Sequence, residues 1–159
     1  EVLKKLSSPE GRAYMTQDIL NRYSLQYADL KHDGIYFQSA TEHSMLTVGE
    51  RSVAAIMCDF VNETSRALWE KYPHLSIQFG LHATSVRENY NDLAPLHKDI
   101  IITWEDAGAT PFTYSPITSV KWGDSTIDTT QTLELSKKLA SFRPNTIFGI
   151  VPKGWMNLS

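Results

Sequence analysis

The stretch DIIITWEDAG, residues 99–108, decides the fold of this chain. Its three consecutive isoleucines suit a strand that is buried on both faces, and the stretch turns polar at its end. Three further stretches share this apolar-then-polar form: GIYFQSATEH at 34–43, SIQFGLHATS at 76–85 and TIFGIVPKGW at 146–155. The sequence therefore predicts four strands with polar residues at their carboxyl ends, and we expect Tyr36 and Phe37 of the first strand both to pack.

Helical patterns precede or separate these strands, over about residues 9–30, 52–72 and 128–144. The first helix has the clearest start, because Ser8 can cap free amides and the proline that follows it fits the first helical position. Cys58 falls on the apolar stripe of the second helix, so we interpret it as a small core residue. Helices and strands therefore alternate along the chain.

This alternation predicts an α/β protein with a parallel sheet, in which reactive groups gather at the carboxyl ends of the strands. The strands start about 37 residues apart on average, against roughly 30 per unit in a (β/α)8 barrel, so we expect about half of such a TIM barrel, with insertions. We interpret residues 1–159 as one partial barrel domain, truncated at both ends, because the chain starts at Glu1 and stops directly after the last strand. The connection at 107–127 is long and aromatic, which makes it a candidate binding loop.

Composition excludes several functional classes. Hydrophobic residues make up 42% of the 159 residues and charged residues 21%, which is typical of a globular chain with its own core. The net charge of −3 comes without a basic run, so neither nucleic acid nor an anionic membrane surface is an expected partner. Cys58 is the single cysteine, which excludes an intramolecular disulfide and a thiolate zinc cluster.

Acidic residues follow two of the predicted strands: Glu42 after the first, and Glu105 with Asp106 after the third. Cleavage of a glycosidic bond needs one protonated carboxyl that gives a proton to the leaving oxygen, and one ionised carboxyl that acts as nucleophile or activates water. We therefore predict these three residues as the catalytic carboxylates. The alternative is that they cap the following helices or face solvent.

Five further residues are predicted to hold a sugar by stacking or hydrogen bonding: His43, His82, Trp104, Tyr114 and Lys153. The two histidines with Glu105 or Asp106 could instead bind zinc. Neither His-x-His nor His-Glu-x-x-His spacing occurs, so we favour hydrogen bonding and predict no metal and no cofactor. A Schiff base at Lys153 is an alternative to the commoner pairing of such a lysine with a carboxylate.

Several phrases resemble a known family. They are GIYFQSATEH at 34–43, DFVNETSRALWEKYP running into SIQFGLHATS at 59–85, and WEDAGATPFTYSP at 104–116. These phrases are similar to the middle of a group of bacterial glycoside-hydrolase-like proteins with (β/α)8 barrels, which are distantly similar to α-glucuronidases and β-N-acetylhexosaminidase-like barrels. By position, the resemblance implies that Glu42 is the general acid and that Glu105 or Asp106 is the base or nucleophile.

The resemblance also implies a carbohydrate substrate, a secreted or periplasmic full-length parent, and a barrel completed by the remaining segments of that parent. The first hypothesis is therefore a glycoside hydrolase. A barrel that binds carbohydrate without turnover is the second hypothesis, and a metal-dependent hydrolase is the third.

Overall fold

The structure, a computed structural model, describes residues 1–38, 46–81, 89–104, 119–122, 125–128 and 131–150. Its helices are α1 (Val2–Leu6), α2 (Pro9–Gln26), α3 (Val53–Lys71), a 3-10 helix (Tyr90–Leu93) and α4 (Gln131–Phe142). Its strands are β1 (Gly34–Gln38), β2 (Thr47–Val48), β3 (Arg51–Ser52), β4 (Ser76–Leu81), β5 (Ile101–Trp104), β6 (Ser119–Trp122), β7 (Ser125–Asp128) and β8 (Phe148–Ile150). None of the helices in these ranges is long and apolar enough to cross a membrane.

Four strands form one parallel sheet in the order β1-β4-β5-β8, so neighbours in the sheet follow one another along the chain. The expected α/β class and the four expected strands are confirmed. The polar tails predicted at 39–43, 82–85, 105–108 and 151–155 lie outside the described residues. The structure thus describes an α/β fold with a four-stranded parallel sheet.

Helices α3 and α4 cover one face of this sheet. Phe37 of β1 packs edge-on against Phe60 of α3, with the ring centroids 6.2 Å apart. Trp104 of β5 donates from its indole Nε1 to Ser136 Oγ of α4 over 2.8 Å. The ladder register puts Phe37 and Trp104 on the same side of the pleat. Both crossover helices therefore lie on that side of the sheet. This is expected, because right-handed connections place their helices on the same face when each strand is added on the same side of the previous one.

Helix α3 supplies the centre of the core. Its side chains Val53, Ile56, Val61 and Leu68 are all 0% exposed, and each such burial is worth roughly 1.5–3 kcal/mol. Cys58 is buried among them, which confirms that it is a small core residue. The remaining helix layer builds outward from α3, because α2 packs on it.

Arg12 of α2 ties the helix layer together while 7% exposed. Its Nε donates to Glu63 Oε1 of α3 over 2.9 Å, and its Nη1 donates to the Leu6 carbonyl over 3.2 Å. Asp59 of α3 lies 3.9 Å from the same guanidinium and accepts from Arg51 Nη2 at 2.6 Å. The buried cation is thus paired with carboxylates, which offsets the cost of removing it from water.

The start of α2 was predictable from its capping residue, whereas Asp128, at the expected start of the third helix, is the last residue of β7 and α4 begins at Gln131. Ser8 Oγ accepts the Gly11 amide over 3.0 Å at the start of α2. Helix α2 ends at Gln26, four residues before the expected end. Just beyond it, His32 bonds the Leu30 carbonyl through Nδ1 and the Tyr23 hydroxyl through Nε2.

Two features differ from the sequence expectations. Strands β2 and β3 form a short antiparallel hairpin before α3, and β6 and β7 form another inside the stretch interpreted as a binding loop. Two-residue and four-residue strands without a sustained period-2 pattern give too little signal to be read from sequence. Tyr36 does not pack as Phe37 does: it is 44% exposed on the opposite side of β1, as the alternation of strand side chains requires.

Candidate functional site

The four parallel strands end together at one edge of the sheet. Their last residues are Gln38, Leu81, Trp104 and Ile150, and the register pairs Leu81 with Trp104 and Trp104 with Ile150. Loops that leave the carboxyl ends of parallel strands therefore start side by side, which is where α/β proteins place their reactive groups. We call this the carboxyl edge.

Seven of the eight predicted site residues come after these ends in the chain and lie outside the described residues: Glu42, His43, His82, Glu105, Asp106, Tyr114 and Lys153. What the structure adds for them is the order of the strands that precede them. Glu42 follows the end of β1 by four residues, and Glu105 follows the end of β5 directly. Only β4 stands between these two strands.

Trp104 is the predicted site residue that the structure does describe. Its side chain is 1% exposed on the helix-covered side of β5, and its Nε1 bonds Ser136 of α4. Burial with a satisfied indole N–H is the arrangement of a packing tryptophan. Contact of Trp104 with a sugar stays a prediction, whereas its role in joining β5 to α4 is described.

The second face of the sheet is polar, and sequence inspection missed it. Strand alternation places on this face the residues Tyr36, Gln38, Ser76, Gln78, Gly80, Ile101, Thr103 and Gly149. On it Gln38 and Gln78 are exposed, whereas Gly80 and Thr103 are buried. The signal was available in SIQFG, where serine and glutamine alternate with the buried Ile77 and Phe79. We call this surface the polar face.

Within the polar face, Thr103 and Gln78 are in contact across neighbouring strands. Thr103 Oγ1 donates to Gln78 Oε1 over 3.4 Å. Gly149 of β8 pairs with Thr103 on its other side, and a Cβ at Gly149 would lie 2.9 Å from Thr103 Oγ1. The missing side chain leaves room for the threonine hydroxyl, which stands one residue before the end of β5, whereas Gln78 stands three residues before the end of β4. Such groups suit hydrogen bonding to a polar ligand.

The helix layer is fixed at the carboxyl edge by a short contact. Ser52 Oγ accepts the Ala55 amide over 3.0 Å at the start of α3 and donates to Asp92 Oδ2 at 2.5 Å. Helix α3 follows β1 and the 3-10 helix follows β4, so this contact joins the connections of two neighbouring strands. A carboxylate near the amino end of a helix is also favoured by the helix dipole.

A second buried network fixes the chain before β5. Asn62 of α3 donates to the Pro95 carbonyl over 2.9 Å and accepts the His97 amide over 2.7 Å. Arg143, 7% exposed, donates through Nη1 to the Leu96 carbonyl and through Nη2 to the His97 carbonyl. Burial lowers the pKa of Arg143. These contacts fix residues 95–97, which lead into the amino end of β5.

Metal-binding chemistry has no support in the ranges that the structure covers, where no three His, Cys, Asp or Glu side chains cluster as ligands. That statement does not extend to His43 and His82, which lie outside those ranges. Burial, together with the nearby Asp59 carboxylate, raises the pKa of Cys58 to about 12, so this thiol is not a nucleophile at neutral pH.

Comparison with known proteins adds no relative: no family model, no curated protein and no solved structure matches this chain.

Proposed function

We propose that this chain is part of a (β/α)8 barrel of the glycoside hydrolase type, with its site at the carboxyl edge. The observation that carries the proposal is the parallel order β1-β4-β5-β8 with all four ends at one edge. It brings the start of the segment that holds Glu42 close to the start of the segment that holds Glu105 and Asp106. Two carboxyl groups near one edge are the minimum set for glycosidic bond cleavage.

An inverting arrangement is part of the proposal, because β1 and β5 are not adjacent in the sheet. Neighbouring strands lie roughly 4.7–4.9 Å apart, so the ends of β1 and β5, with β4 between them, stand about 9–10 Å apart. Inverting enzymes keep their two carboxyl groups roughly 6.5–9.5 Å apart to admit a water, whereas retaining enzymes need about 5–5.5 Å. In the proposed reaction Glu42 protonates the leaving oxygen, and Glu105 or Asp106 takes a proton from the attacking water.

The polar face supports a hydroxyl-rich ligand. The exposed amide of Gln78 accepts from the buried hydroxyl of Thr103, and Tyr36 offers a 44% exposed ring on the same face. Sugars present hydroxyl groups around the ring and an apolar ring face, which these side chains can bind. His43, His82, Tyr114 and Lys153 are proposed to complete the binding groups, with the remaining barrel segments of a longer parent, secreted or periplasmic, closing the site.

A panel of 4-nitrophenyl glycosides with the variants Glu42→Gln, Glu105→Gln and Asp106→Asn tests the proposal. We expect Glu42→Gln to lower kcat by about 10²–10⁴-fold, because the amide keeps the shape of the side chain and cannot give a proton. The matched control is Glu70→Gln, an exposed glutamate at the end of α3 that lies away from the carboxyl edge.

Three outcomes are distinguishable. Release of nitrophenol that falls in Glu42→Gln and not in Glu70→Gln supports the proposal. Sugar binding by calorimetry without product overturns the hydrolase and favours a carbohydrate-binding barrel. Activity that disappears with a chelator and returns with zinc overturns the two-carboxylate mechanism and favours a metal-dependent hydrolase.

A further inference from the structure

A groove of about 510 Å³ lies between the second half of α2 and the start of β1. Ile19, Tyr23 and Tyr27, which follow one another at spacings of four, line it from the helix, and Gly34 and Ile35 line it from the strand. A mostly apolar groove of this volume suits a small organic ligand. Because β1 begins here, the groove lies at the amino end of the strand and is separate from the carboxyl edge.

The charged side chains that line the groove are all basic or can become so, and they are Arg22, Lys31 and His32. Asp18 pairs with Arg22 over 2.9 Å, so this guanidinium already has a carboxylate partner. Lys31 is exposed and has no ion pair within the part of the chain that the structure describes. Two carboxylates close to it in sequence, Asp29 and Asp33, do not line the groove. The groove therefore combines apolar walls with one ammonium group that lacks a counter-charge.

The backbone on both sides of Lys31 is held in place. His32 donates from Nδ1 to the Leu30 carbonyl over 2.9 Å, because a carbonyl can only accept. Nε2 of the neutral ring then accepts the Tyr23 hydroxyl over 2.7 Å. Tyr23 is itself 6% exposed and packs edge-on against Tyr72, with the ring centroids 4.7 Å apart. Lys31 thus extends from a fixed turn beside the groove.

We propose that this groove binds an amphipathic carboxylate, with its apolar chain between α2 and β1 and its acid group on Lys31. An apolar chain needs no hydrogen-bond partner in the groove, and its removal from water drives binding. A carboxylate at the end of that chain can pair with the Lys31 ammonium. A cationic ligand would find no acidic lining residue, and a neutral ligand would leave Lys31 without a partner.

The proposal goes beyond the glycosidase activity and uses none of its residues. Loss of sugar cleavage would leave the groove unchanged, and an empty groove would leave the chemistry of the carboxyl edge unchanged. The two proposals therefore fail separately.

Calorimetric titration with three probes that share one alkyl chain gives the test: octanoate, octan-1-ol and octyltrimethylammonium, at one ionic strength. We expect octanoate to bind most tightly and octyltrimethylammonium most weakly. Octan-1-ol should bind about two- to fivefold more weakly than octanoate, since a partly exposed ion pair adds only modestly to affinity.

Two pairs of variants assign the contacts, with circular dichroism to verify folding. Lys31→Gln should lower the affinity for octanoate to that for octan-1-ol, whereas Lys4→Gln, at an exposed lysine of α1 that does not line the groove, should change neither affinity. Leu30→Ser, at a lining residue that is 59% exposed, should weaken both ligands at least about threefold. Its control is Leu25→Ser, at an 85% exposed residue of α2 outside the groove.

The proposal is overturned if octyltrimethylammonium binds as tightly as octanoate, or if Lys31→Gln behaves like Lys4→Gln. It is also overturned if Leu30→Ser behaves like Leu25→Ser, because the ligand then lies elsewhere. Absence of octanoate binding to the unmodified chain overturns it as well and would favour a packing surface for another polypeptide segment.

Discussion

The hydroxyl of Ser52 lies 2.5 Å from Asp92 Oδ2 and also caps α3 through the Ala55 amide. One side chain therefore joins the connection that follows β1 to the connection that follows β4. The contact thus ties the start of α3 to the 3-10 helix.

Ser52→Ala should lower the free energy of unfolding by about 1–2 kcal/mol, because α3 loses its cap and Asp92 loses its donor. Ser7→Ala is the matched control, since the Ser7 hydroxyl bonds only the Lys4 carbonyl within an exposed turn. Urea unfolding of both variants, with Asp92→Asn and the double variant, gives the coupling energy by a double-mutant cycle. Equal losses of unfolding free energy in Ser52→Ala and Ser7→Ala would contradict the structural role that we assign to this contact.

Stability should fall at alkaline pH because of Cys58. Burial and the neighbouring Asp59 raise the pKa of this thiol to about 12 in the folded chain, against about 9 when it is free. The unfolded chain therefore loses the thiol proton first, and between these two values each pH unit costs about 1.4 kcal/mol of stability. Below about pH 9 this contribution is fully present.

The difference in unfolding free energy between the unmodified chain and Cys58→Ala, measured from pH 8 to pH 11, isolates this contribution from tyrosine and lysine titration. We expect the unmodified chain to lose stability more steeply. Native Cys58 should also react with a disulfide reagent only as fast as the chain unfolds. Parallel pH profiles for the two chains, or rapid labelling in the native state, would show that the thiol is accessible.

Gly34→Ala should destabilise the chain more than Gly149→Ala. A Cβ at Gly34 would lie 2.2 Å from the Ser76 carbonyl oxygen, which the ladder between β1 and β4 holds in place. A Cβ at Gly149 would meet the Thr103 hydroxyl at 2.9 Å, and that hydroxyl can rotate away. We expect a loss of about 1–3 kcal/mol for Gly34→Ala by thermal melting, and a smaller one for Gly149→Ala. The reverse order would contradict the register described for these strands.

Trp104→Ala should cost roughly 3–5 kcal/mol of stability, because the side chain is 1% exposed and joins β5 to α4. Trp104→Phe should cost less, since a ring remains while the bond to Ser136 is lost. Calorimetric sugar titrations on the folded Phe variant separate packing from sugar contact. If Trp104→Ala kept its stability and bound sugar more weakly, the packing role of this indole would be wrong and its contact with the sugar would be supported.

The central architecture could be predicted from sequence because it rests on strong local signals. The run Ile100-Ile101-Ile102 and the alternation in SIQFG mark buried strands, and Ser8 and Ser52 mark helix starts. Ile102 and Ile77 are 0% exposed, as such runs require. The parallel order follows because helices separate strands and because parallel strands need crossovers.

The details of the site could not be predicted in the same way. Tyr36 and Phe37 look equally apolar in sequence, and only the pleat decides that one is exposed and the other is buried. Trp104 at a strand end has the sequence position of a ligand-stacking ring, but its pairing with Ser136 depends on a helix that comes about 30 residues later. Long-range partners of this kind leave no trace in local periodicity.

The anomeric configuration of the first sugar released is the measurement that tests the central claim most directly. Proton NMR during cleavage of a glycoside from the active panel should show the inverted anomer, because one strand stands between the two that precede Glu42 and Glu105 and leaves room for a water. Release of the retained anomer would contradict the inverting arrangement, and the absence of any cleavage across the panel would contradict the paired-carboxylate site at the carboxyl edge.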